Sequence, residues 1–390
     1  MPLYDPASVA SVLDESGYGA LLATTSASVL YLARFPKAGG TVAVVTRDAP
    51  ERATLVLPSS SIDFLLEDRG DEVDPVPYGR FYRAFADGER LEEREQLVKA
   101  VHERTRWGQD LGTVAAAVVE AAAVGSGPVA ADAHSDTLVA VQTAAPDVKV
   151  VPEPALFARL RMVKTPEEVE RLSEAALITE AAIQASARAI RVGATQREIA
   201  AAFRASVVAE EAGIRADNVS IDRGAALGNV NSPDDRVRDG RVVRYDVGAI
   251  HRGYAADIAR CFSAGPPEDR VAHGYEAVRR GQAAALEVLR PGVRASEVFE
   301  AAVAATREAG LRHYQRTHVG HGIGIAGGYD RPLLAPDDHT VIEPGMVLCV
   351  ETPYYEVGRH GLQVEDMVLV TDDGFEFLSH SSRDLEVIAL

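Results

Sequence analysis

The sequence predicts an α+β protein of two domains. A smaller α/β domain covers residues 1–155, and a larger domain over residues 156–390 uses a helix-helix-strand-strand unit twice. Three observations lead there. The chain has 390 residues, and at roughly 100–200 residues per domain that length accommodates two. Its first third alternates short β-like and helical stretches, the pattern of a small α/β domain. Its remainder repeats one arrangement of turns and caps at a spacing of roughly one hundred residues, the mark of an internal duplication about a pseudo-two-fold axis.

In order along the chain, Asp5 caps a helix that has Pro6 at its first position and runs to about Glu15. Stretches 20–24, 29–32, 42–45 and 54–57 read as strands, separated by Gly, Ser and Pro. Stretches 89–103 and 111–123 read as helices, and 148–151 is a last strand before Pro152-Glu153-Pro154, where the boundary is expected. No glycine-rich phosphate loop follows any of these strands. Thr165 and Glu168 form a capping box with Pro166 at the first helical position, and a long helix follows to about Ile190. Gly193-Ala194-Thr195-Gln196-Arg197-Glu198 opens the next helix, which ends at Gly213. Gly292-Val293-Arg294-Ala295-Ser296-Glu297 echoes it, ending at Gly310. Hairpins follow each helix pair, over 242–248 with 254–262, and over 346–351 with 362–370.

Composition narrows the function classes. Hydrophobic residues are 47% and charged residues 25%, an ordinary soluble balance. Lys+Arg is 40 against Asp+Glu 58, a net charge of −18, which argues against nucleic acid and anionic lipid as partners. No run of eighteen apolar residues predicts a membrane span. The start of the chain lacks the pattern of a signal peptide. The two cysteines, Cys261 and Cys349, suit a reducing compartment. The expected location is the cytoplasm.

The chemistry lies on the hairpins. The first carries Asp246 and Asp257, the second Glu351 and Glu365, each among Val, Leu, Tyr and Ala. Four acids converging in an apolar interior need a compensating charge. A divalent cation, or two, supplies it. His321, flanked by Gly320 and Gly322, is a fifth candidate. One imidazole and four carboxylates suit Mn²⁺, Co²⁺, Fe²⁺ or Zn²⁺. Two such ions about 3.5 Å apart would generate a hydroxide at neutral pH and polarise a carbonyl.

These segments resemble the metal-binding pattern of the M24 "pita-bread" metallopeptidases, which include methionine aminopeptidase, Xaa-Pro aminopeptidase and prolidase, with creatinase as a metal-free relative. The resemblance rests on Asp246-Val247-Gly248, Gly253-Tyr254-Ala255-Ala256-Asp257, Gly320-His321-Gly322-Ile323-Gly324, Val350-Glu351-Thr352-Pro353 and Val364-Glu365-Asp366. It covers roughly residues 155–390; the first third more loosely resembles the creatinase/prolidase N-terminal domain. The resemblance implies two divalent metal ions (Mn, Co, Zn or Fe) held by Asp246, Asp257, His321, Glu351 and Glu365. Asp257 and Glu365 would bridge them, with Glu351 also the proton shuttle. It implies a homodimer as well.

Three departures separate this chain from the pattern. The family's histidine before the first Asp is missing from Ala225-Ala226-Leu227-Gly228-Asn229-Val230-Asn231. The His-Glu pair after the Gly-His-Gly segment is replaced within Gly327-Gly328-Tyr329-Asp330. The Arg two residues before the last Glu is Gln363. Asn229, Tyr329, Asp330 and Gln363 are therefore the expected substrate-binding residues. His318 is a further catalytic candidate, either stabilising the tetrahedral intermediate or ordering its loop. The expected activity is hydrolysis of a C–N bond in a small peptide, of the Xaa-Pro dipeptidase or aminopeptidase type. The alternatives are a creatinase- or ectoine-hydrolase-like amidohydrolase acting on a small amide, and a catalytically silent scaffold.

Overall fold

The computed structural model describes residues 2–36, 39–68, 72–108, 110–122, 127–228, 232–325 and 328–389. The chain folds as two compact units, Met1–Arg161 and Met162–Leu390.

The first unit contains α1 (Pro6–Ser16), β1 (Ala20–Ala23), α2 (Ser26–Ala33), β2 (Val42–Thr46), β3 (Ala49–Pro58), β4 (Val73–Tyr78), α3 (Glu93–His102), α4 (Leu111–Ala122), β5 (Val129–Ala131), α5 (Asp136–Ala144), β6 (Val150–Pro152) and α6 (Pro154–Leu160). Its strands form one mixed sheet in the order β4-β3-β2-β1-β5-β6. Val114, Ala117 and Val118 of α4 pack on Leu22, Val44 and Val56 of the sheet. Residues 29–32, expected as a strand, lie in α2. An unbroken apolar run carries no period to separate strand from helix, and the cap decides. Thr25 accepts from the Ser28 amide and is itself gripped by Asp132, which takes the Thr25 amide at 2.8 Å and its hydroxyl at 2.6 Å. Strands β4 and β5 and helix α5 were not expected. Two prolines in β4 and the three-residue length of β5 hide them.

The second unit opens with α7 (Pro166–Ala187) and α8 (Gln196–Ala209), each started by the expected capping box. There follow β7 (Gly213–Ile221), β8 (Arg241–His251), β9 (Tyr254–Ala255), β10 (Ile258–Ala264), α9 (Asp269–Val288), α10 (Ala295–Glu308), β11 (Gly320–Gly322), β12 (Asp330–Leu333), β13 (Val347–Glu351), β14 (Tyr354–Glu356), β15 (His360–Leu362), β16 (Glu365–Val370), β17 (Phe375–Phe377) and β18 (Glu386–Ile388). The main path of the large sheet runs β12-β11-β13-β16-β10-β8-β7.

The duplication is visible in that order. Outward from the central antiparallel pair β16–β10, β13 matches β8 and β11 matches β7. Each half has two helices before its strands. The repeating unit holds three strands where two were expected. β7 is polar (Arg215, Asp217, Asn218) and β11 is three residues of Gly-His-Gly, so neither shows strand-like alternation. Val298 and Ala302 of α10 pack with Ala285 of α9 against Leu348, Val350 and Val368 of the sheet, forming the core of the second half.

Candidate metal centre

Strand register brings the acids together. Ala259 of β10 lies opposite Asp246 of β8 on one side and Glu365 of β16 on the other. Glu365 in turn faces Glu351 of β13, and Cys349, two residues earlier, faces His321 of β11. Side chains alternate across a strand, so residues two apart share a face. Asp246, Glu365, Glu351, Cys349 and His321 therefore line one face of the sheet. Asp257 joins them from the break between β9 and β10 rather than from within a strand, as the sequence suggested. Gly320, with φ of 148°, lets β11 approach this floor: a Cβ there would meet the Cys349 carbonyl oxygen.

Asp257, His321, Cys349 and Glu365 are buried and offer ligand atoms within 4.8 Å of one another. His321 Nδ1 lies 2.9 Å from the Gly322 carbonyl, which can only accept. That contact places the proton on Nδ1 and leaves a lone pair on Nε2, directed at Asp257 Oδ2 (3.5 Å) and Glu365 Oε1 (3.9 Å). Asp257 Oδ1, His321 Nε2 and Glu365 Oε1 are buried without a hydrogen bond. Buried polar atoms are normally paired, so three such atoms on three adjoining residues fit a cation.

Glu351 is oriented by Gln363, with His318 beside it. Gln363 Nε2 donates to Glu351 Oε2 at 3.1 Å and to Glu365 Oε2 at 3.3 Å. His318 Nδ1 stands 3.2 Å from Glu351 Oε1. Burial, reinforced by neighbouring Asp257, Glu351 and Asp246, holds the Glu365 carboxyl well above the ordinary range. Burial likewise pushes Asp246 up to about 6, against the pull of Arg244. The Cys349 thiol is pushed well up by burial and by the same acids, so it stays neutral and serves as floor rather than thiolate.

The expected substrate residues divide. Tyr329 stacks on His321 with ring centroids 3.7 Å apart. Gln363 is inside the cluster. Asp330 points to Lys164, whose Nζ lies 3.5 Å from its Oδ2, and that pair is buried. Asp330 thus stands at the start of β12 engaged with Lys164. Asn229 lies outside the described residues.

Two arginines were missed. Arg244 is fully buried, 3.2 Å from Asp246 Oδ2 and 2.5 Å from Gln363 Oε1. Its signal was present in the sequence: two residues before Asp246, it shares that face of the strand. Arg215 places Nη2 2.7 Å from Asp257 Oδ2. It sits where the β7–β8 register slips between Ile214 and Ala216, and a bulge re-aims a side chain in a way that alternation cannot reveal.

A duplicated antiparallel sheet backed by paired helices, with carboxylates and one imidazole gathered on its axis, is the pita-bread arrangement of a metallopeptidase. Residues 170–372 match the profile of metallopeptidase family M24, and the chain belongs to that family. It is 32% identical over 240 residues to the Xaa-Pro dipeptidase of Lactobacillus helveticus, covering 60% of this chain and 65% of the relative. It is also 32% identical over 228 residues to the Xaa-Pro dipeptidase of Pyrococcus furiosus, covering 58% and 65%. The matches thus span just under two thirds of these relatives. The crystal structure of X-Pro aminopeptidase from Thermotoga maritima MSB8 shares the fold with a TM-score of 0.79 and 23% identity, over 98% of this chain and 99% of that one.

Proposed function

We propose that this protein is a metal-dependent hydrolase of small peptides, of the Xaa-Pro dipeptidase type. One observation carries the reading: Asp257 Oδ1, His321 Nε2 and Glu365 Oε1 converge, buried and unbonded, beside an oriented Glu351. The names of the M24 relatives supply the substrate class.

Asp257, His321 and Glu365 would hold a divalent ion, with Glu351 and Asp246 at its rim. Such an ion acts as a Lewis acid, acidifying water and polarising a carbonyl. The chain's own residues do the rest. Glu351, held by Gln363, takes the proton of the attacking water and returns it to the leaving nitrogen. His318, beside Glu351, would donate a hydrogen bond toward the developing oxyanion. Tyr329 limits the motion of His321 and presents its hydroxyl to a substrate. The reading includes a homodimer, on the family resemblance alone, and a reducing compartment such as the cytoplasm, which two free buried thiols suit.

The test is hydrolysis of Xaa-Pro and other dipeptides by metal-stripped protein, with and without Mn²⁺, Co²⁺ or Zn²⁺. Metal-dependent release of proline is expected. Glu351→Gln should lower kcat roughly 10²–10⁴-fold, as loss of a general base does. Full activity without metal, or in Glu351→Gln, would end this reading. Metal-dependent cleavage of small amides but of no dipeptide would move the substrate class and keep the chemistry.

A further inference from the structure

We propose that each chain holds one divalent ion, and that Arg215 and Arg244 supply the positive charge that a second ion would bring. The proposal rests on the metal-centre reading above.

Arg215 and Arg244 divide the acids. Arg215 holds Asp257 Oδ2 at 2.7 Å and Arg244 holds Asp246 Oδ2 at 3.2 Å. These are two of the carboxylates on which a second ion would depend. Among the buried atoms without a hydrogen bond are Asp257 Oδ1, His321 Nε2 and Glu365 Oε1. They lie on three neighbouring residues and suit one ion, while the Asp246 carboxylate is engaged by Arg244 through Oδ2.

Charge leads to the same count. Four carboxylates meet in this pocket, Asp246, Asp257, Glu351 and Glu365. Two guanidinium groups and one divalent ion neutralise them; two ions would leave a buried excess of positive charge. Arginine stays protonated in such surroundings, so its contribution is permanent.

Both arginines are built in. Arg244 is fully buried and tied to Gln363, Tyr355 Oη (3.3 Å) and the Gly228 carbonyl (2.7 Å). Arg215 leaves its strand at the register slip and passes beside Gly248 on its way to Asp257. The positive charge missing at Gln363, where the family pattern has Arg, returns on β8 as Arg244, whose Nη1 reaches Gln363 Oε1 at 2.5 Å.

The experiment is Mn²⁺ titration of the metal-stripped full chain, read by equilibrium dialysis and by electron paramagnetic resonance. Wild type should take up one equivalent and show the six-line signal of an isolated ion. Arg215→Met should admit a second equivalent whose spin couples to the first and depresses that signal. Arg215→Lys, which keeps the charge, should stay at one. Two tight, coupled ions in wild type would overturn the proposal while leaving the metallohydrolase reading intact. No uptake at all would overturn both. A folded Arg215→Met that still takes one ion would remove Arg215 from its assigned part.

Discussion

Tyr329 lies nearly parallel to His321, its ring plane inclined by 18°, although 55% of the residue is exposed. An exposed aromatic held flat on a buried imidazole restricts that ring to one orientation. Such stacking is worth about 0.5–1.5 kcal/mol beyond burial. Tyr329→Phe keeps the ring and should leave Mn²⁺ affinity within about twofold, whereas Tyr329→Ala should weaken it roughly 2- to 10-fold. Calorimetric titration distinguishes the two, and equal affinities in all three proteins would refute the stacking role. At this scale the sequence was legible wherever a residue's chemistry was unusual for its setting. Acids inside apolar strands stood out, as did a histidine between glycines. Tyr329 stood out only as a substitution; its stack depends on a loop conformation that no local pattern encodes. Arg215 depends on a register slip and was invisible for the same reason.

Helix α7 carries a pH response in its first turn. Glu168 closes the capping box by accepting from the Thr165 amide at 2.9 Å, and it also accepts from the Tyr254 hydroxyl at 3.0 Å. Burial raises its carboxyl to about 6 from 4.5. The folded state therefore binds this proton more tightly than the unfolded chain does. Below pH 4.5 both states are protonated and no penalty exists. Between pH 4.5 and about 6 the unfolded chain ionises first, and stability falls by about 2 kcal/mol. Glutamine also fills this capping position. Glu168→Gln should thus match wild type near pH 4.5 and exceed it by about that amount at pH 7. Urea unfolding at the two pH values checks this; a constant difference between the proteins would show that Glu168 is not the titrating group. Capping boxes of this kind made α7 and α8 legible in advance. Elements that lean on distant partners were not legible. Helix α2 takes its start from Asp132, more than one hundred residues further on. Strand β10 begins only after Asp257, because the chain breaks its pairing there to turn the carboxylate inward.

The whole molecule places its ligands in one unit, so binding should stabilise the two units unequally. A free ion concentration one hundred times the dissociation constant adds about 2.7 kcal/mol. For a unit of this size that corresponds to roughly 5–10 °C. Chelation should lower the thermal transition of Met162–Leu390 by that amount, with faster amide exchange in β13 and β16, and leave the amides of Met1–Arg161 unchanged. If exchange rose equally in both units, or in neither, the ligand set would be wrongly placed.

The mirrored strand order has a consequence for how the chain acquires its chemistry. One half contributes Asp246 and Asp257, the other His321, Glu351 and Glu365, and the two sets face each other across the β10–β16 pairing at Ala259 and Glu365. Neither half owns a working centre. The pocket is a seam, closed where β16 pairs with β10. A chain without Glu365 lacks the carboxylate that joins the two halves, so metal capture requires both of them.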